Sequence, residues 1–508
     1  MNKFLLTCTI SIAFASSAFA NLNGNGFYRV KNYGSDRWAT LVDNYATVDF
    51  FAGAADLHSL VLTNNTDEIL SDPGSVVYIT QRSNNQYDVA GQGVSLESLV
   101  NNNISIRANG NAPDGQDLYV IYGTYQGTSK YIGDANIMTF QEYGKASLNV
   151  ALADFNKWYI IPMDVTSDNY FGTKPSIITN QGQYTTLFTS FAYKPYSEGV
   201  KAYYIDRVGY GMAEMVEITD AVPPGSPVVI KCAGPKTSDN KLQILEQQNT
   251  LPNNSLTGVY FNYSGDTNTN RVRYDAETMR ILGVCSDGSI GFVTGSIEFI
   301  PANTAYLKVP SGSAPELKLV STQEYEAGMP EAPESFYLNE AAYALYPQGD
   351  DNYTGTFDIP APSGDNKDVK IRFYPSSATN SSDNYIGSYG ADVSIVSGYS
   401  NHPFQYGSPY YWVLTAWKGG TLQVTLNLQY QYAKFYSEMS GIDTVIAPEN
   451  SLIFDGQEIY ANGAKSIQVF SIAGQKVVSA AGDRLNVANL PKGTYVVVAN
   501  GKSLKIKL

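Results

Sequence analysis

Thr421-Leu422-Gln423-Val424-Thr425-Leu426-Asn427-Leu428 decides how this chain is read. Polar and apolar residues alternate over all eight positions. Successive side chains of a strand point to opposite faces, so strict alternation marks a strand with one face buried. Gly419-Gly420 stands just before it as a turn signal. Shorter runs of the same kind, rich in β-branched and aromatic residues, recur along the chain. The expected fold class is all-β and multidomain.

Working outward, Ser335-Phe336-Tyr337-Leu338, Gly355-Thr356-Phe357-Asp358-Ile359 and Val369-Lys370-Ile371-Arg372-Phe373-Tyr374 read as strands of the same unit, a β-sandwich over 334–440. Residues 321–333 contain three Glu and two Pro and read as a linker, and 441–450 read as a second one. Upstream, 166–320 reads as another β-sandwich, with Gly199-Val200-Lys201-Ala202-Tyr203-Tyr204-Ile205 and Val228-Val229-Ile230-Lys231 among its strands and prolines at strand edges and turns. Residues 21–165 read as a β-rich domain from Phe27-Tyr28-Arg29-Val30 to Trp158-Tyr159-Ile160-Ile161, with a helix or long loop near Ser95 to Asn102. Residues 451–508 read as a small antiparallel β-sandwich, with Asn500-Gly501 between two apolar runs as a hairpin signal.

The 508 residues hold 33 Lys+Arg and 47 Asp+Glu, a net charge of −14, with only 16% charged residues and 39 Tyr. The charge is unevenly spread: 456–508 carry seven basic against two acidic residues, whereas 21–455 carry 25 basic against 45 acidic. An acidic body argues against a nucleic-acid partner. Lys3, the apolar stretch Leu5 to Phe14 and Ala18-Phe19-Ala20 have the form of a signal peptide over 1–20. No later run is long enough to span a membrane as a helix. Cys232 and Cys285 lie beyond it; an exported pair of thiols either forms a disulfide or stays as two buried free thiols.

Several stretches resemble known families. Val469-Phe470-Ser471-Ile472-Ala473-Gly474-Gln475-Lys476-Val477, followed by Leu490-Pro491-Lys492-Gly493-Thr494-Tyr495-Val496-Val497 and a lysine-rich end, resembles the type A C-terminal sorting domain of type IX secretion cargo in Bacteroidota. The resemblance implies that Gly474, Pro491, Gly493, Tyr495, Lys505 and Lys507 belong to a sorting signal. It implies passage through the periplasm, the type IX translocon as a partner, and a secreted or outer-surface destination. Phe27 to Asn32, Ser129 to Asp134 and Phe155 to Pro162 are similar to ricin-like β-trefoil modules. Most of 180–320, ending in Ile300-Pro301-Ala302-Asn303-Thr304-Ala305-Tyr306-Leu307, resembles a Bacteroidota β-sandwich surface module. The 334–440 unit resembles domains of outer-membrane starch-binding accessory proteins. Asp443-Thr444-Val445 is similar to the tripeptide that Bacteroidota O-glycosylate, which implies Thr444 as an acceptor.

No catalytic motif stands out. The only histidines are His58 and His402, and no nucleophile elbow, zinc-binding His-Glu-x-x-His or P-loop occurs. No metal or cofactor is expected. A glycosidase needs two facing carboxylates; Asp350, Asp351 and Asp383 are present, and solvated loop acids are the simpler reading. The stronger signal is aromatic. Trp38, Tyr411, Trp412 and Trp417 flank turns, and exposed aromatics on rigid β-loops stack on sugar rings. Core packing competes with that role for Trp412 and Trp417, and in a strand Tyr411 and Trp412 face opposite ways. The expectation is a noncatalytic glycan- or surface-binding protein. The alternatives are a structural or adhesive surface protein with a protein partner, and a carboxylate-based glycosidase.

Overall fold

The strand read first from its alternation runs Gly420–Asn427 in the computed structural model. Leu422, Val424 and Leu426 point inward and Gln423 points out, as the period of two requires. It is bonded on both sides, to Asn352–Ile359 over eight residue pairs and to Tyr432–Met439 over eight. The structure describes residues 22, 25–43, 60–83, 86–92, 104–125, 127–140, 143–246, 250–251, 253–264, 269–339, 343–364, 367–375, 385–439, 452–454, 458–461, 464–499 and 502–508. The expected signal peptide, the helix near Ser95, the linker 441–450, His58, Asp383 and Thr444 lie outside them.

A sandwich whose edge strands pair with each other is a closed barrel, and the third region takes that form. Phe336–Leu338, Tyr343–Pro347, Asn352–Ile359, Gly420–Asn427, Tyr432–Met439, Gly398–Tyr406, Ile386–Ser388 and Phe373–Tyr374 close on themselves. Closure leaves no open edge among these strands. A three-stranded sheet of Val369–Ile371, Trp412–Leu414 and Val393–Ile395 contributes to the same core.

In the first region six strands close a ring. Gly26–Asn32 pairs with Val77–Ser83, which leads through Gln86–Ala90, Ile104–Asn111, Asp117–Tyr125 and Lys157–Pro162 back to Gly26–Asn32. Trp38–Leu41, Leu60–Thr63, Thr128–Phe140 and Tyr143–Asn149 extend from the ring as further paired strands. These four strands link Gly26–Asn32 to Asp117–Tyr125 by a second paired route. Trp158 is fully buried at its centre and donates its indole N–H to the Ile132 carbonyl at 2.9 Å.

The second region is a ten-stranded sheet with the three-stranded sheet Phe171–Gly172, Lys241–Leu245, Ala192–Pro195 beside it. Three apolar clusters fill it, one around Phe171, Tyr193 and Ile230, one around Ile205, Phe292 and Leu307, and a smaller one of Val259, Ile300 and Tyr306. The segment read as a linker, 321–333, holds the helix Thr322–Gly328. Ser321 caps it by accepting the Glu324 N–H while the Glu324 carboxylate takes the Ser321 N–H, and Tyr325 is buried. The capping box in Ser321-Thr322-Gln323-Glu324 was legible and outweighs the proline signal there.

The tail is a small antiparallel sandwich. Leu452–Phe454, Glu458–Ala461 and Arg484–Asn486 form one sheet; Lys476–Ala481, Ser466–Ser471, Thr494–Ala499 and Lys502–Lys507 form the other. Ile459, Val469, Tyr495, Val497 and Ile506 share its core. Ala499 faces Lys502, the register of a two-residue hairpin.

Candidate functional site

The first and second regions are stitched together by buried polar groups. Arg29, fully buried, donates to Ser75 Oγ at 2.8 Å, to Asn169 Oδ1 at 3.0 Å and to the Tyr170 carbonyl at 2.6 Å. Gln92, only 1% exposed, donates its amide to the Tyr260 carbonyl at 2.9 Å and to Asn303 Oδ1. Asn270 donates to the buried carboxylate of Asp43. Buried polar groups need partners, and here all the named partners but Ser75 come from across the seam.

A cleft of about 500 Å³ opens along that seam. From the first region it is lined by Leu41, Val42, Glu68, Ser71 and Asp72. From the second come Tyr260, Phe261, Asn262, Tyr263, Ser264, Arg271, Ala302 and Asn303. Asp72 is held by its turn. Its Oδ1 accepts the Gly74 N–H at 2.8 Å, capping the 3-10 turn Pro73–Ser75, and its Oδ2 accepts the Thr40 hydroxyl at 2.5 Å. A Cβ on Gly74 would lie 2.3 Å from the Leu41 carbonyl oxygen, so only glycine lets this turn close against Thr40. Burial pushes the Asp72 carboxyl above its ordinary range, and Glu68 adds to the shift.

Facing it, Asn303 takes a left-handed backbone at φ 61° and directs its amide to Asp72 Oδ1 at 3.5 Å. Tyr260 stacks on Phe188 with ring centroids 4.0 Å apart. Phe188 in turn occupies the space a side chain at Gly258 would fill, since a Cβ there would lie 2.4 Å from the ring. Phe188 therefore covers one face of Tyr260, and Tyr260 lines the cleft with what remains. Burial pushes the Tyr260 phenol up to about 12, so it is a hydrogen-bond donor at neutral pH. The cleft thus combines aromatic surface, carboxylates, amides and a guanidinium.

The aromatic site expected on the third region does not form. Trp412 is 0% exposed, packed against Phe373 and Phe435 at 5.6 and 5.3 Å. Trp417 is 2% exposed and donates its indole N–H to the Ile359 carbonyl at 3.0 Å. Both are core residues: the three-stranded sheet that carries Trp412, and the turn after it that carries Trp417, pack into the core they share with the barrel. Tyr411 is half-buried and does face away from Trp412, but the Arg372 guanidinium lies 3.7 Å over its ring and Lys370 4.9 Å. Trp38, half-buried in the first region, sits under the Lys31 ammonium at 5.3 Å and does not join the seam cleft.

Asp350 and Asp351 occupy consecutive left-handed positions, and Asp351 accepts the Tyr210 hydroxyl at 2.8 Å, so it is a tertiary anchor and not a loose acid. Cys232 and Cys285 form no disulfide: each is a buried free thiol. Cys232 packs with Val228 and Leu242, whereas Cys285 lies beside the turn to Ser289. In the tail, Gly474 takes φ 79° in a hairpin, Tyr495 donates to the Pro491 carbonyl at 2.7 Å, and Lys505 and Lys507 point outward beside Val496 and Thr494. Gly493 exchanges backbone hydrogen bonds with Leu508. Among the described residues no three His, Cys, Asp or Glu side chains converge on a metal position. Among them, too, no helix is long and apolar enough to cross a membrane.

Sequence reasoning missed Asp72, Tyr260, Arg271 and Asn303. Pro301-Ala302-Asn303 stood out only as part of a domain resemblance, and Tyr260-Phe261-Asn262-Tyr263 is an aromatic run whose density was the available signal.

No family model matches the chain. No curated protein matches it. Among solved structures, the crystal structure of hemolytic lectin CEL-III overlaps 81% of this chain and 91% of its own, at 10% identity and a TM-score of 0.14. An overlap that loose fixes neither fold nor ligand.

Proposed function

We propose that this is a noncatalytic, multidomain β-protein that binds glycans in the seam cleft and is exported by the type IX route to the outer surface or medium. One observation carries the binding reading: Tyr260 presents aromatic surface beside Asp72, Glu68 and Asn303 in a cleft of about 500 Å³. Sugars are held by this combination, with apolar ring faces against aromatics and hydroxyls against carboxylates and amides. Binding of the mature protein to immobilised polysaccharides should fall at least about tenfold in Tyr260→Ala, with the thermal transition retained. Failure to bind any polysaccharide would sink the reading.

The export reading rests on the resemblance of 451–508 to sorting domains and on its basic balance, seven cations against two acids from residue 456. Deleting 451–508 should trap the protein in the periplasm; normal export of the truncated chain would refute it.

A second reading, a carboxylate-based glycosidase, draws on Glu68 and Asp72 lining one cleft. Against it, both Asp72 oxygens are engaged by Thr40 and Gly74. Release of reducing ends by wild type and its loss in Asp72→Asn would favour the enzyme.

A further inference from the structure

We infer that the sugar bound in the seam cleft carries a carboxylate, and that Arg271 is the residue that selects it; this rests on the glycan reading above. Arg271 lines the cleft and is exposed. Its guanidinium lies 4.9 Å from the centroid of the Phe299 ring. Arg273 lies at the same distance from that ring, but it is paired with Glu298 at 3.3 Å. Among the described residues Arg271 has no carboxylate partner. That is notable in a body with 25 basic against 45 acidic residues.

The geometry suits recognition of a planar anion. Packing on an aromatic ring holds the guanidinium plane and leaves its N–H groups free. Those donors match a carboxylate two at a time. The first-region wall of the cleft is of opposite character. The Asp72 oxygens accept the Thr40 hydroxyl and the Gly74 N–H, and the half-buried Glu68 carboxylate adds further acceptor oxygens to that wall. Acceptors on one wall take sugar hydroxyls, and a cation on the other takes an acid group. A neutral sugar would use only the first wall. A carboxylated sugar uses both.

The test is calorimetric titration of the full mature chain, at low salt, with oligogalacturonate, oligomannuronate and oligo-sialic acid, each beside its methyl ester. Esterification removes the charge and keeps the sugar. At least one acid should bind about tenfold or more tighter than its ester. Raising the salt should shrink that difference, because the pair is exposed. Arg271→Ala should abolish the preference by bringing acid binding down to the level of the ester, and Arg271→Lys should restore part of it. Arg273→Ala should keep it. Equal binding of acid and ester, a preference that survives Arg271→Ala, or a preference for sulfated over carboxylated chains would overturn the inference and leave the glycan reading standing. No binding by acids, esters or neutral glycans would overturn both.

Discussion

Tyr210 donates its phenolic hydrogen to Asp351 at 2.8 Å, joining the second region to the third-region barrel. Both residues hold left-handed backbones, at φ 56° each, a conformation that non-glycine residues keep only where the surroundings enforce it. The Tyr210 ring also packs on the barrel core and lies 6.3 Å from Tyr325 of the capped helix. Further bonds cross the same junction, from Gln429 Nε2 to the Val208 carbonyl at 3.1 Å and from the Tyr389 hydroxyl to Glu316 at 3.0 Å.

Removing that bond should loosen the junction without unfolding either side. Tyr210→Phe keeps the ring and loses the hydrogen bond, which costs about 1 kcal/mol. Urea denaturation should show that loss in the transition of the third region, and limited proteolysis should cut faster near residues 329–334. An unchanged transition midpoint would show the contact to be energetically idle.

Trp412 and Trp417 should behave as core residues. Either Trp→Ala change leaves a large cavity and costs about 3–5 kcal/mol. Circular dichroism melts should show the third-region barrel losing most of its stability in both variants. Retained stability with a selective loss of sugar binding would contradict their placement.

Asp72 should make the first region more stable in acid. Burial raises its carboxyl in the folded state, so the charged form is disfavoured by folding. Its destabilising effect is complete above the folded value, fades as pH falls through it, and is gone at the unfolded value near about 3.9. Asp72→Asn should therefore gain most over wild type at neutral pH and lose that advantage by about pH 4. Denaturation across that range checks the sign, and a gap that widens in acid would refute the burial argument.

The two thiols should be silent in the native protein. Burial pushes Cys232 up to about 12 and raises Cys285 as well. Thiolate is the reactive species, so a thiol reagent at pH 8 should label neither until denaturant is added, and then both. Rapid native labelling, or no labelling after unfolding without reductant, would contradict two buried free thiols.

The resemblance-led expectations divide by what a strand can tell. At Thr421 to Leu428 the inward and outward faces were legible because the period of two is a property of the backbone. At Ser321-Thr322-Gln323-Glu324 a local capping pattern was legible, though proline nearby drew the reading toward a linker. Asp72 and Asn303 were not legible as partners, since 231 residues separate them and no local pattern brings a long-range pair together.

The residues alone determined an all-β chain, an acidic body with a basic tail, and opposite faces for Tyr411 and Trp412. Alternation says that one of those two looks in and the other out; it does not say which. Packing of the three-stranded sheet against the barrel put Trp412 into their shared core and left Tyr411 half-buried under Arg372. The seam cleft was decided at the same level. Its walls come from two separate β-units, and only their packing, which buries Arg29 and Gln92 between them, sets Tyr260 opposite Asp72 and Glu68.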